Sequence, residues 1–334
     1  MQKAQKNCSR LDTIETNAHF YSSYREKLLG DITSEYQSTY ALYSHFDTLR
    51  DNPRVEILES CRTKAYFMLN EKTRLVKIAS NACRLRWCPI CAKAKSKAVS
   101  ASVTNYLKTN TQAKFLTLTL QHSNAPLPQQ IENLYTSFRE FRRLKFFKDA
   151  CNGGIWFFQI KKSKTDSLWH PHLHCVIDSG YIGKQWISDQ WRRITKGSKI
   201  VDIRAVYDVS KAANYVARYS SRPSNLAGLE LTESTELFTA LHGRRLCGKW
   251  GTAKHVDLSG QRSPDKKDSV RLCNFKTILD GKSENTVMRT LWLCWCTQVP
   301  LPEKYNLAYF GSRDRDLPDS QFYDFIIDEV YSDD

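Results

Sequence analysis

Hydrophobic and polar positions change period several times along the chain, and each change marks a candidate element. Residues 17–50 carry Tyr, Leu and charged side chains at roughly helical spacing, and Asp51-Asn52-Pro53 supplies a break. Two short β-like runs follow, Ala65–Leu69 and Leu75–Ile78, and then a cluster of cysteines. Lys93–Thr109 predicts a basic helix. Lys114–Gln121 alternates strictly: Phe115, Thr117 and Thr119 take one face of a strand, Leu116, Leu118 and Leu120 the other. Residues 128–150 predict a helix dense in Arg, Lys and Phe. Gly154–Lys161 and Trp169–Asp178 read as strands joined by the polar turn Lys162–Ser167. A helix over Gln185–Thr195, a strand over Ile200–Tyr207 and a helix over Ser210–Ser220 complete the readable part, and the pattern weakens beyond Leu258. The strands lie close together in pairs instead of alternating strictly with helices. The expected fold class is therefore α+β, with a central antiparallel sheet flanked by helices. The expected organisation is an N-terminal helical region (1–54), a cysteine-rich segment (55–100), a sheet-bearing core (101–257) and a C-terminal extension (258–334).

Charge narrows the class of partner. The 334 residues carry a net +15, yet Arg313–Asp334 holds eight acids against two bases, which leaves residues 1–312 at +21. A basic body of that size favours polyanions, because each neutralised phosphate releases condensed counterions. Eleven cysteines raise the question of a secreted disulfide scaffold. Against it, the count is odd, the chain is too large to need staples, and Met1–Thr16 lacks an apolar leader core. A reducing cytoplasm is the expected setting, with cysteines as core fillers or metal ligands. No apolar run approaches the roughly 20 residues of a membrane span, so no membrane is expected. The phosphate-binding pattern G-x-x-x-x-G-K-[ST] does not occur, so neither a nucleotide cofactor nor ATPase activity is expected, and strand opening would fall to a host helicase.

Three constellations carry candidate chemistry. His170-Pro171-His172-Leu173-His174 enters a strand, where side chains alternate, so His172 and His174 share a face and can bind one divalent ion. Gln159, a polar residue among apolar strand neighbours, is the expected third ligand. Two histidines on a strand are equally compatible with a hydrogen-bonded surface pair. Downstream, Tyr215 and Tyr219 stand four apart on a helix and share one side. An aromatic stripe in the core would look the same, but Arg218 and Arg222 flank that turn and suit a phosphate better than a dry interior. Third, Cys83-x4-Cys88-x2-Cys91, with Cys61 about 20 residues earlier, has the spacing of a structural zinc site, and Pro89 favours the tight turn between two sulfurs. Arg244 and Arg245, ahead of Lys249-Trp250-Gly251, form a basic stretch that would suit the path of a single strand.

The order of these elements resembles the rolling-circle replication initiators of small plasmids, in the HUH endonuclease superfamily. The apolar–Thr strand Phe115–Thr119 comes first, then HPHLH, then the tyrosine helix, over roughly residues 60–255. The resemblance implies an HUH core that nicks and rejoins single-stranded DNA at an origin through a 5′-phosphotyrosine. Mg²⁺ or Mn²⁺ would be held by His172, His174 and Gln159, and a host polymerase would extend the freed 3′ end. By position Tyr219 matches the nucleophile. Many relatives carry Glu where this chain has Tyr215, so the pattern here is Tyr-x-x-x-Tyr, as in initiators and transposases with two tyrosines. Such initiators often carry a Cys-Pro-x-Cys knuckle before the nuclease core, which agrees with Cys88-Pro89-Ile90-Cys91. Two alternatives remain at this point: a two-tyrosine HUH transposase, and a zinc-stabilised DNA-binding repressor without nuclease activity.

Overall fold

The computed structural model describes residues 24–50, 53–110, 112–163, 167–260, 268–305 and 323–326. The first 23 residues, and the acidic tail apart from Tyr323–Ile326, lie outside them. The described strands are β1 (Ala65–Asn70), β2 (Val76–Asn81), β3 (Ala113–Thr119), β4 (Cys151–Lys162), β5 (Trp169–Ser179), β6 (Val201–Ala205), β7 (Cys247–Gly251), β8 (Ser269–Asn274) and β9 (Tyr323–Ile326). The α-helices are α1 (Tyr24–Leu29), α2 (Thr33–Arg50), α3 (Arg54–Ser60), α4 (Pro89–Lys108), α5 (Leu127–Phe141), α6 (Lys145–Ala150), α7 (Lys184–Thr195), α8 (Val209–Ala217), α9 (Leu231–Ala240), α10 (Phe275–Gly281) and α11 (Thr286–Thr297). All ladders are antiparallel, as the α+β reading expects. No described helix is long and apolar enough to cross a membrane.

The chain forms two compact units: one from 1–36, 43–91 and 261–334, the other from 37–42 and 92–260. The first contains a four-stranded sheet in the order β8-β1-β2-β9. Alternation along β1 and β2 turns Phe67, Leu69, Val76 and Ile78 into a core shared with Phe275, Ile278, Leu291, Trp292 and Trp295. Phe67 stacks on Phe275 at 5.8 Å and meets Trp295 edge-on at 5.6 Å. Helix α11 starts where the Asn285 side chain accepts hydrogen bonds from the Val287 and Met288 amides, and its C-cap Gln298 is left-handed. The weak pattern beyond Leu258 thus ends in β8 and two helices that pack on β1.

The second unit contains a five-stranded sheet in the order β6-β3-β5-β4-β7. Its register decides what each face carries. Thr117 opposes His174 and Thr119 opposes His172 across β3–β5, while Gln159 opposes His172 and Phe157 opposes His174 across β4–β5. One face therefore presents Gln159, His172 and His174 together with Phe115, Phe157 and Val176. Its apolar part packs against Val99, Val103, Tyr106 and Leu107 of α4 and Ala213 and Val216 of α8. The opposite face carries Leu116, Leu118, Trp156, Phe158, Leu173 and Trp250. Phe158 meets Tyr135 of α5 at 5.7 Å, and Trp191 of α7 donates its indole N–H to Thr119 O at 2.8 Å.

Two helical expectations need correction. Residues 128–150 are not one helix: α5 ends at Phe141, Leu144 is extended (ψ 131°), and α6 begins at Lys145. Six positions on a continuous helix would turn Phe141 and Phe147 to different sides. The break lets both bury completely, 4.7 Å apart. Likewise α8 ends at Ala217, and Arg218–Ser220 tightens into a single 3₁₀ turn, as helix C-termini often do.

Candidate active site

Three neutral donors converge on the first face of the five-stranded sheet. Gln159 Oε1 lies 2.7 Å from His174 Nε2 and also close to His172 Nε2. The antiparallel register produces this directly, since Gln159 and His172 are cross-strand partners and His174 is the diagonal neighbour. His174 Nδ1 faces Thr117 Oγ1 at 3.2 Å, and the tautomer that donates there leaves the Nε2 lone pair free. Burial pushes the pKa of His172 down to about 4, with Lys161 and His170 as further causes, and that of His174 down to about 3, with His172 and Lys161 as further causes. Both imidazoles are thus unprotonated at neutral pH, the form that ligates metal. The donor set fits a divalent cation: two imidazole nitrogens and one amide oxygen, held on rigid strands around one point.

The tyrosines stand over this cluster. The Tyr219 ring stacks on His174 (5.6 Å, 25° between planes), while Tyr215 meets His174 edge-on at 5.2 Å and Tyr219 at 5.7 Å. Both are half-buried. Asp208 caps α8 by accepting from the Lys211 amide, which fixes where the helix begins and so where Tyr215 falls. Burial, followed by the hydrogen bond and charge of Tyr215, pushes the Tyr219 phenol well above its ordinary value, while Arg218 and Gln159 pull it back. The Arg218 guanidinium sits over the Tyr215 ring at 5.0 Å. From Tyr219 and Gln159 runs a groove of about 780 Å³, lined by Lys161, Lys162, Arg218 and Arg222 among others. Lys162 is ion-paired with Glu233 at 2.7 Å.

The structure brings together Gln159, His172, His174, Tyr215, Tyr219, Arg218 and Arg222. It does not bring Arg244 or Trp250 to them. Arg244 pairs with Glu132 at 2.9 Å, and Trp250, opposite Gly154 in the ladder, lies on the other face of the sheet. The Arg245 carbonyl accepts a hydrogen bond from the Tyr135 hydroxyl of α5. Two residues of the site had no role assigned from sequence. Thr117 has a period-2 signal, since it stands in the alternating strand directly across from His174. Lys161 is two residues beyond Gln159 on the same face and lines the groove.

In the other unit, Cys61, Cys83, Cys88 and Cys91 place their sulfurs within 4.8 Å of one another. The Sγ–Sγ separations include 3.6 Å (Cys61–Cys91), 3.7 Å (Cys83–Cys91) and 3.9 Å (Cys61–Cys88). Tetrahedral zinc with Zn–S bonds of ~2.3 Å has sulfur–sulfur edges of about 3.8 Å, so the four cysteines can hold such a metal. Arg62 is fully buried nearby, donates to the Ser80 carbonyl and hydroxyl, and lowers the pKa of Cys91 after the three other cysteines do.

Residues 74–298 match the family model described as replication protein. Curated proteins similar to the chain include a "Protein rep" of Staphylococcus aureus, 28% identical over 52% of this chain and 83% of its own length. A "Protein rep" of a Bacillus species is 28% identical over 61% of this chain and 79% of its own. A third, of Bacillus amyloliquefaciens, is 26% identical over 61% and 72% respectively. No solved structure is significantly similar to the chain.

Proposed function

The chain belongs to the replication protein (Rep) family of plasmid replication initiators, and from that premise we propose that it nicks and rejoins single-stranded DNA at a rolling-circle origin. The observation that carries this reading is the stacking of Tyr219 at 5.6 Å on His174, one of three neutral donors gathered around a single point.

Gln159, His172 and His174 would hold Mg²⁺ or Mn²⁺. Bound there, the cation supplies charge stabilisation at a phosphoryl oxygen and helps orient the phosphate. The chain's own residues do the rest. The groove beside Tyr219 takes the single strand, with Lys161, Arg218 and Arg222 near its phosphates. Tyr219 Oη attacks the scissile phosphorus: an Oη–P bond forms, the P–O3′ bond breaks, the phenol loses its proton and the 3′ oxygen gains one. Because burial and Tyr215 keep the phenol protonated, the chemistry depends on close positioning and on the charge around the phosphate. The freed 3′-hydroxyl primes a host polymerase, and a host helicase opens the duplex. Tyr215, whose ring lies 5.7 Å from that of Tyr219, would cut the regenerated origin and close the circle. The four cysteines would hold zinc as a structural ion.

Covalent trapping tests the reading. The protein is incubated with single-stranded DNA of its own replicon and Mn²⁺, and a denaturant-resistant adduct is mapped by mass spectrometry. The expected result is an adduct on Tyr219 that chelator abolishes. Tight DNA binding with no adduct anywhere across the replicon would sink the nuclease reading.

A further inference from the structure

A second basic groove lies on the opposite face of the five-stranded sheet. Its volume is about 440 Å³, and its lining includes Arg139, Arg142, Arg143, Lys148, Phe147 and Trp250. The sheet register sets its position: Trp250 opposes Gly154, out of phase with Phe157 and Gln159, so the groove faces away from His172 and His174.

The groove is organised around one guanidinium. The Arg142 guanidinium lies 4.9 Å from the Phe138 ring and 5.0 Å from the Trp250 ring, and the two rings themselves meet edge-on at 5.8 Å. Trp250 in turn lies against the strand at Gly154, where a Cβ would come 2.9 Å from its ring. The Arg142 Nε–H is buried and, among the described residues, has no hydrogen-bond partner. No carboxylate lines the groove. Arg139 shares Glu132 at 3.3 Å, but among the described residues Arg143 and Lys148 make no ion pair. Burial, and after it the charges of Arg143 and Arg139, disfavour the charged form of Arg142, a cost that a bound phosphate would remove. The groove has no platform for unstacked bases: Phe147 is 1% exposed, and the Trp250 ring is taken up by Arg142 and the strand.

We propose that this groove binds the sugar–phosphate backbone of duplex DNA, on the sheet face opposite the nicking site. Four cations without base-stacking platforms suit a duplex, whose bases stack on one another and whose phosphates face outward. A single strand, by contrast, engages through stacking as well as charge. The proposal takes from the family reading only that the ligand is DNA, and it does not depend on the tyrosine chemistry.

The test uses the full chain and two fluorescent probes from the replicon's origin region, a 24-base-pair duplex and a 12-nucleotide single strand. Affinity is measured by anisotropy across a salt series. Arg143→Glu/Lys148→Glu is compared with Lys108→Glu/Lys199→Glu, which changes net charge equally at exposed positions elsewhere. An unchanged thermal midpoint confirms that both variants are folded. The groove variant is expected to lose at least about tenfold in duplex affinity and about two units of the log–log salt slope, while the control loses far less. Its preference for duplex over the single strand should fall by a similar factor. Equal losses in groove variant and control, or a loss confined to the single strand, would overturn the proposal. Adduct formation by the unmodified protein is scored separately, so absence of nicking and absence of the duplex site give different results.

Discussion

Gln159 is the one neutral amide in a cluster that would bind a dication, and it sets the affinity of that cluster. Exchanging its amide for a carboxylate keeps the oxygen in place and adds a negative ligand. Gln159→Glu is therefore expected to lower the Mn²⁺ concentration for half-maximal adduct formation by about tenfold or more, and Gln159→Ala to raise it, as a metal titration of the trapping assay would reveal. The tyrosines divide differently. Tyr219→Phe keeps the ring that stacks on His174 and removes the proposed nucleophile, so adduct should fall by roughly a thousandfold with the thermal midpoint unchanged. Tyr215→Phe should still nick once and fail to release a closed circle. A Tyr219→Phe protein that still formed full adduct would transfer the first role to Tyr215. The histidines also make a pH prediction for metal-free protein. Their folded values, about 4 and about 3, lie below the ordinary 6.5, so the unfolded chain binds more protons between those limits. Stability is then complete above about pH 6.5 and declines as pH falls towards 4, by on the order of a few kcal/mol. Urea midpoints at pH 7.5 and 4.5, in buffer without magnesium or manganese, check this, and His172→Ala/His174→Ala should flatten the dependence.

At the scale of elements, the β4–β5 hairpin does most of the positioning, and β7 holds its outer edge. Gly251 ends β7 at φ +55°, where a Cβ would come 1.9 Å from the Asn152 carbonyl. Gly251→Ala combines left-handed strain with that overlap, and a cost of roughly 3 kcal/mol is expected from a urea titration. A cost under about 0.5 kcal/mol would mean that the β4–β7 edge yields easily. This hairpin was also the most legible part of the chain. Alternation alone put His172 and His174 on one face, and a polar residue among apolar strand neighbours singled out Gln159. The sequence reading also paired Tyr215 with Tyr219. It did not carry the break at Leu144, because the charged stretch Arg139–Lys148 has helix-forming residues throughout and only burial of Phe141 and Phe147 together forces the turn. Nor did it separate Trp250 from the tyrosines. Proximity in sequence to Arg244 and Arg245 suggested a shared path, whereas the face of Trp250 depends on register with β4, which no local pattern encodes.

For the molecule as a whole, the cysteine cluster ties distant parts of the sequence into one unit. Cys61 follows α3, Cys83 follows β2, and Cys88 and Cys91 flank the start of α4, so a metal there would close loops over 31 residues of chain. Four thiolates around zinc carry a net charge of about −2, and burying that charge needs compensation. Fully buried Arg62, within electrostatic reach of Cys91, provides part of it. If zinc is the occupant, purified protein should contain about one equivalent per chain, released by a thiol-blocking mercurial and counted with a chromogenic chelator. Cys88→Ser should lose that metal and lower the thermal midpoint by several degrees or more, since a structural site contributes folding energy outright. Arg62→Met should keep the four sulfurs yet weaken the metal, because the charge it leaves behind is uncompensated. Nicking of a short single strand separates local from general effects. Its residues belong to the other unit, so Cys88→Ser protein that remains folded there should still form adduct. Metal-free protein that melts identically with and without added zinc would show that the four sulfurs meet as ordinary buried thiols.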